Sequence, residues 1–317
     1  MQNYFFTATT DAHHQLTRLF DFVWPTAAAM WNLRWQVAGF LQVIPDASVE
    51  QLTARFMEGA NIGGANLKRA CIDHSWEEQQ QSFARLLLVN SIAVFEGWLH
   101  EILVPLGDRK RKRTLVTALQ FPDSTAEDGK GACWAISELR ANQSAVLKNS
   151  FYSELSSGKN FALLKLDAML LCYRYFKELR NCQSHTGEIA NAKTVVAFNN
   201  FTAVATSAQL GVSEVPHHFP VIDGSKIALS LRGVVGLSHL ILKLIASIDA
   251  ELCCSEISET AFGQKWRLRH PHQISVSTSL AKRDERVSRL VKKAGFPKPS
   301  SVSQLATWLK DQQFIDY

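Results

Sequence analysis

The sequence predicts a mainly α-helical protein. A helical bundle is followed by a small β-hairpin insertion, placed after the bundle's last long helix, and by a basic helical appendage at the C-terminus. Three observations predict this. Apolar residues recur three and four positions apart through most of the first 190 residues, the period of a buried helix face. The pattern then shifts to β-branched and aromatic residues ahead of a turn at Asp223-Gly224. Positive charge collects after residue 264. At 317 residues the chain is too long for one small core. It divides into an N-terminal helical segment packing on the core (1–74), a helical domain (75–255) and a basic C-terminal helical segment (256–317).

The elements follow in order. "HHQLTRLFDFVWP" and "TAAAMWNLRWQVAGFLQV" read as helices punctuated by Pro25 and Pro45, and "ASVEQLTARFMEG" as a short amphipathic helix ending at Gly59. Trp24, Trp31 and Trp35 read as core or interface packing. Ser75 opens the longest element: its hydroxyl and Glu78, three residues on, form a capping box. The helix runs to about Pro105 with two apolar stripes, Phe83–Leu87–Val94–Trp98–Ile102 and Leu88–Ile92–Phe95–Leu99–Leu103, as expected at the centre of a bundle. Glu96 and His100 share its residual polar strip. "RKRKRTLVTALQF", "CWAISELRANQSAVLKNSF" and "FALLKLDAMLLCYRYFKELRN" read as three further helices. "KTVVAFNNFTAVA" and "HHFPVIDGSKIALS" read as the hairpin, 226–251 as a buried helix, and 280–294 and 301–312 as the last two helices.

Composition narrows the function classes. Hydrophobic residues at 46% and charged residues at 20% are ordinary for a globular protein. No window reaches about 18 uninterrupted apolar residues, so no membrane association is expected. The N-terminus lacks the basic and apolar regions of a signal peptide, which points to the cytoplasm and to free thiols on the six dispersed cysteines. No CxxC pair, P-loop or GxSxG occurs, and adjacent side chains in His13-His14 and His217-His218 point apart; neither a metal nor a cofactor is expected. The net charge of +5 is uneven: residues 264–298 carry ten Lys/Arg against Asp284 and Glu285, a net +8 that leaves −3 elsewhere. A second basic knot is "RKRKR" at 109–113. Such clusters are a solvated face, a dock for an acidic partner, or an attraction for the phosphate backbone of RNA or DNA. On the last reading Lys110, Arg111, Lys112, Arg113, Arg267, Arg269, Lys282, Arg283 and Arg286 are the candidate RNA-binding residues. His270 and His272, flanking Pro271, read as surface-loop residues or phosphate contacts.

The candidate site is the end of the helix "YRYFKELRNCQSHTGEI" (173–189). Asp167, Arg174, Glu178, Asn181 and His185 fall at steps of seven, four, three and four, on one polar stripe of an otherwise apolar helix. Arg180 lies off that stripe, about 140° around the axis from His185. Gly187 suits the helix terminus. An Arg, an Asn and a His at a helix C-terminus also suit the free carbonyls and the dipole there, with no catalysis implied.

The order Arg180, Asn181, three residues, His185, on the last long helix of an α-bundle, resembles the motif of the HEPN superfamily. "VFEGWLHEIL" (94–103), in a helix upstream, resembles the aromatic-acidic helices that precede the motif in that superfamily. The resemblance covers roughly residues 75–190, and at most to 250. It implies a metal-independent endoribonuclease of antiviral defence or a toxin, working as a homodimer with a composite site. RNA would be the substrate and an antitoxin or defence-system protein a partner. Cleavage would proceed by attack of the 2′-OH and leave a 2′,3′-cyclic phosphate. In such chemistry His185 moves protons, Arg180 steadies charge on the phosphate, Asn181 orients it and Glu96 supports the site. Two rivals stand beside it: a catalytically inactive HEPN-like module that binds nucleic acid or a partner protein, and a regulatory, antitoxin-like partner.

Overall fold

The computed structural model describes residues 4–61 and 63–317. Helix makes up 69% and strand 2%, which places the chain in the mainly α class. Fourteen α-helices are assigned among the described residues: α1 (Thr7–Val43), α2 (Val49–Phe56), α3 (Trp76–Ile102), α4 (Arg109–Ala118), α5 (Ala132–Arg140), α6 (Ala145–Leu147), α7 (Ser153–Ser156), α8 (Leu166–His185), α9 (Ala192–Thr202), α10 (Ser207–Leu210), α11 (Leu231–Leu252), α12 (Ser258–Arg269), α13 (Leu280–Lys293) and α14 (Val302–Asp311). Two short strands, β1 (Ile274–Ser275) and β2 (Ile315–Asp316), pair in parallel.

Three helices form the centre. α11 is buried without a break from Lys243 to Leu252 and packs on α3 and α8, which also pack on each other. α3 and α11 are long and apolar enough to cross a membrane, but half of the most apolar stretch of α3 and two thirds of that of α11 lie inside the protein. α1 runs along α3 and α9 covers α8. The capping box at Ser75 forms as its spacing predicts: Glu78 N–H donates to the Ser75 hydroxyl and Ser75 N–H to the Glu78 carboxylate. Asp108 caps α4 by accepting from the N–H groups of Lys110 and Arg111.

Six expectations are corrected in this fold. Pro25 does not end a helix but lies inside α1. Pro25 and Asp21, whose carbonyl loses its partner, are both exposed to water, while Val23 and Ala27 beside them are buried. Of the two readings of Trp24, Trp31 and Trp35, core or interface, the core one is corrected: all three are exposed, Trp35 to 65%. The helix read across 133–151 breaks after Arg140, where Ser144 N–H donates to the Cys254 carbonyl, and resumes as α6, a π turn and α7.

The β-hairpin is the fourth. Residues 193–205 form helix α9 and its exit, because Asn191 caps the first turn by accepting from Thr194 N–H and because Thr194 and Phe201, seven apart, are buried. The Phe201 ring stacks on Tyr175 of α8 at 5.3 Å. Burial of this face overrides the strand preference of Val195 and Val196. The turn at Asp223-Gly224 does form, but it returns the chain to residues 188–190 through a single antiparallel bridge, Ile189 with Lys226. The segment before α11 crosses that helix so closely that a Cβ on Gly233 would sit 1.9 Å from the His217 carbonyl oxygen.

The basic C-terminal segment shares the main core. Phe262 of α12 stacks on Phe296 and lies near Phe5 and Phe151, so one aromatic cluster joins the chain's beginning, middle and end. Part of the basic charge is consumed inside. The Lys265 ammonium donates to the carbonyls of Tyr4 and Phe5. Arg283 is buried, paired with Asp284 and stacked on Tyr317, so this predicted RNA contact is turned inward. His270 is also buried against Trp266, with its Nε2 on the Leu290 carbonyl, and is not a surface residue.

The N-terminus is held by Asp249 of α11, whose carboxylate accepts from Phe5 and Phe6 N–H at 2.9 and 3.1 Å. Burial pushes the Asp249 carboxyl up from 3.8 to about 6, against the hydrogen bonds from Thr9, Phe5 and Phe6 and the charge of Lys265. The folded state therefore binds the proton more tightly than the unfolded state does. The resulting stability is present below pH 3.8 and is lost as pH rises through about 6. In urea titrations, the unfolding free energy of the parent minus that of Asp249→Asn is expected to fall by up to about 3 kcal/mol across this window. A difference that stays flat contradicts the assignment. Asp249→Ala, which leaves two buried N–H groups unpaired, is expected to cost about 3–5 kcal/mol near neutral pH.

Candidate functional site

The site is built on the contact between α3 and α8. Tyr173, Lys177 and Arg180 stand four and three residues apart and share one face of α8. All three meet Glu96 of α3. The Lys177 ammonium lies 2.6 Å from Glu96 Oε1, Arg180 Nη2 lies 3.1 and 3.2 Å from the two carboxylate oxygens, and the Tyr173 hydroxyl donates to Oε1 at 3.4 Å. These groups are half-buried, so the ion pairs are less screened than surface ones. Burial draws the Lys177 ammonium down from its ordinary range, against the opposing pull of Glu96. Burial first, and Glu96 second, raise the Tyr173 hydroxyl well above its usual value. Both contacts of Arg180 to Glu96 use Nη2; its Nε, which is buried, has no partner among the described residues.

The polar stripe of α8 points elsewhere. Arg174 pairs with Glu178 at 2.6 Å, and Asn181 Nδ2 donates to the other oxygen of Glu178 at 3.2 Å. The Arg174 guanidinium also covers the Phe121 ring at 4.1 Å. Asp167 is separate, accepting from the backbone and hydroxyl of Ser124. The stripe therefore satisfies much of its own polarity within the chain.

His185 is the last residue of α8 and is exposed. It makes no hydrogen bond or ion pair among the described residues. The backbone beyond it is tightly closed: the Cys182 carbonyl accepts from the N–H groups of Thr186 and Glu188, and Gly187 and Glu188 take positive φ of 61° and 70°. Arg85 of α3 at 2.7 Å and Lys226 at 3.2 Å pin the Glu188 carboxylate.

Of the four residues expected to form the site, Glu96 and Arg180 are in contact. Asn181 bonds Glu178, and His185 stands at the helix end. Because α8 stays helical through His185, about 140° of rotation separates that residue from Arg180, and no hydrogen bond joins the two. The reading missed Tyr173 and Lys177, although their spacing to Arg180 marks them as one face. Among the candidate RNA contacts, Arg111 is engaged with Glu256 at 2.6 Å, while Lys110, Lys112 and Arg113 of α4 have no ion pair among the described residues. Arg269, Lys282 and Arg286 are exposed, and exposed Arg267 lies over the Phe314 ring.

No family model, no curated protein and no solved structure matches this chain.

Glu96→Gln removes the only carboxylate that faces Lys177 and Arg180 in this cluster. It is expected to lower the unfolding free energy by about 1–3 kcal/mol, measured in urea. Lys177→Met in the Glu96→Gln background is expected to cost less than in the parent, since the charge it removes is already unpaired. Equal costs would show that the two side chains do not interact.

Proposed function

We propose that the protein is a HEPN-type endoribonuclease that needs no metal. It would cleave RNA by attack of the 2′-OH, acting in antiviral defence or as a toxin. The observation that carries this reading is the state of Arg180. Glu96 holds its guanidinium through Nη2 and so fixes the cation on the turn before an exposed imidazole. A fixed planar cation and a titratable group with no intramolecular partner are what this reaction requires.

The step balances without a cofactor. The 2′-oxygen forms a bond to phosphorus and gives its proton to neutral His185. The bond from phosphorus to the 5′-oxygen breaks, that oxygen takes a proton from water to leave as a hydroxyl, and His185 returns its proton to the solvent. Arg180 offsets the charge that develops on the phosphoryl oxygens. Arg180 and His185 of one chain lie about 140° apart around α8, which favours a homodimer in which two such helix ends face each other across the scissile phosphate. A cytoplasmic setting, and an antitoxin or defence protein as regulator, belong to the same reading.

One observation favours a second reading. Glu96 with Lys177 and Arg180 is also a sufficient structural clamp between α3 and α8. In that case the protein is a catalytically inactive HEPN-like module that binds nucleic acid or a partner protein. Incubation of total RNA in EDTA separates the two. The parent is expected to generate fragments ending in a 2′,3′-cyclic phosphate, and His185→Ala to slow this by about 100-fold or more. Equal cleavage by both proteins, or none by either, sinks the nuclease assignment at this site.

A further inference from the structure

Three adjoining hollows lie beside the polar stripe of α8. The first, about 370 Å³, is lined by Phe121, Arg174 and Glu178 and by Lys193 of α9. The second, about 600 Å³, shares Phe121 and Thr125 with the first and adds Arg113, Lys130 and Trp134. The third, about 240 Å³, shares Thr114 and Trp134 with the second and reaches Lys110. Shared lining residues set the three hollows side by side, as a grooved run from α8 and α9 across the loop before α5 to the basic helix α4.

Its chemistry is consistent along its length. Six cations line it against four carboxylates, and two of those carboxylates are already committed: Glu178 to Arg174 and Asn181, and Asp108 to the first turn of α4. Lys110, Arg113, Lys130 and Lys193 make no ion pair among the described residues. Between the cations stand two half-buried rings, Phe121 under the Arg174 guanidinium at 4.1 Å and Trp134 with the Lys130 ammonium 5.9 Å from its centre. Hydroxyls of Thr114, Thr117 and Thr125 complete the wall.

We infer that this groove binds single-stranded RNA, the substrate class of the site proposed above, and on that reading it delivers the strand to His185. Alternating cations and aromatic surfaces match a single strand, whose phosphates need positive charge and whose unstacked bases need π faces. Rings recessed in a groove are out of reach of bases that remain stacked in a duplex. An acidic peptide would satisfy the lysines but would leave Phe121 and Trp134 without a role. The direction follows from α8. Glu178 lines one end of the groove, and His185 lies seven residues further along the same stripe, about 10 Å down the helix axis.

The test is binding by the full-length His185→Ala protein, so that the outcome does not depend on cleavage. A short fluorescein-labelled single-stranded RNA serves as the anisotropy probe. Phe121→Ala and Trp134→Ala are each expected to weaken binding about 5- to 100-fold, and Trp134→Phe to retain it. Arg113→Gln with Lys130→Gln is expected to reduce the slope of log affinity against log salt by about 1.4. Thermal melting of each variant separates lost binding from lost folding: a variant that melts like the parent and has lost binding supports the groove. Three results overturn it: unchanged affinity in the folded aromatic variants, equal competition by duplex RNA or polyglutamate, or a loss confined to Lys292→Gln with Lys293→Gln in the C-terminal segment. Unimpaired RNA cleavage by His185→Ala would refute the catalytic assignment and leave the binding result standing.

Discussion

The fold depends on a carboxylate buried where no solvent can reach it. Asp249 lies in the unbroken apolar stretch of α11, and an unpartnered charge there would be prohibitive. The chain's own beginning supplies the partners: the N–H groups of Phe5 and Phe6 donate to it, and Lys265 bridges back to the carbonyls of Tyr4 and Phe5. Phe5 and Phe6 stand immediately before α1, so these bonds fix the chain where it enters that helix. Neighbouring Glu251 does similar work on another side, accepting from the Tyr152 hydroxyl and pairing with Arg140. Two acidic residues on one buried helix thus join α11 to segments more than 90 residues away in sequence.

The same logic, relaxed by partial exposure, organises α3 and α8. Glu96 gathers three side chains from one face of α8, while the polar stripe about 100° around the axis closes on itself through Glu178. The two faces therefore have different roles. The face toward α3 orients Arg180 by a single nitrogen. The other runs alongside the groove at Phe121 and ends at His185, where the backbone is closed by the Cys182 carbonyl and by Glu188. His185 at this terminus makes no hydrogen bond or ion pair among the described residues.

The basic charge also divides by context. Charge in the C-terminal segment looks uniform along the sequence, yet Lys265 and Arg283 point inward and Arg267 lies on Phe314. The shorter knot on α4 keeps Lys110, Lys112 and Arg113 free of ion pairs among the described residues, and there aromatic rings stand beside the cations. Recognition of a single strand needs that combination more than it needs net charge.

What the sequence determined by itself is what depends on neighbours three or four residues apart: the helical class, the capping box at Ser75, the terminus near Gly187, the turn at Asp223-Gly224, and the polar stripe from Asp167 to His185. Each is a contact the chain makes with itself over one turn. Only the tertiary structure decided the rest. Pro25 stays within a helix because the turns around it are packed on α3, and 193–202 is helical because Phe201 finds Tyr175. Arg180 faces Glu96, 84 residues away, and Arg283 is buried beneath Tyr317. The groove draws on residues from 108 to 200, brought together by the docking of α4, α8 and α9. Such contacts have no local signature, because burial and distant partners, which set their energies, exist only once the chain has folded.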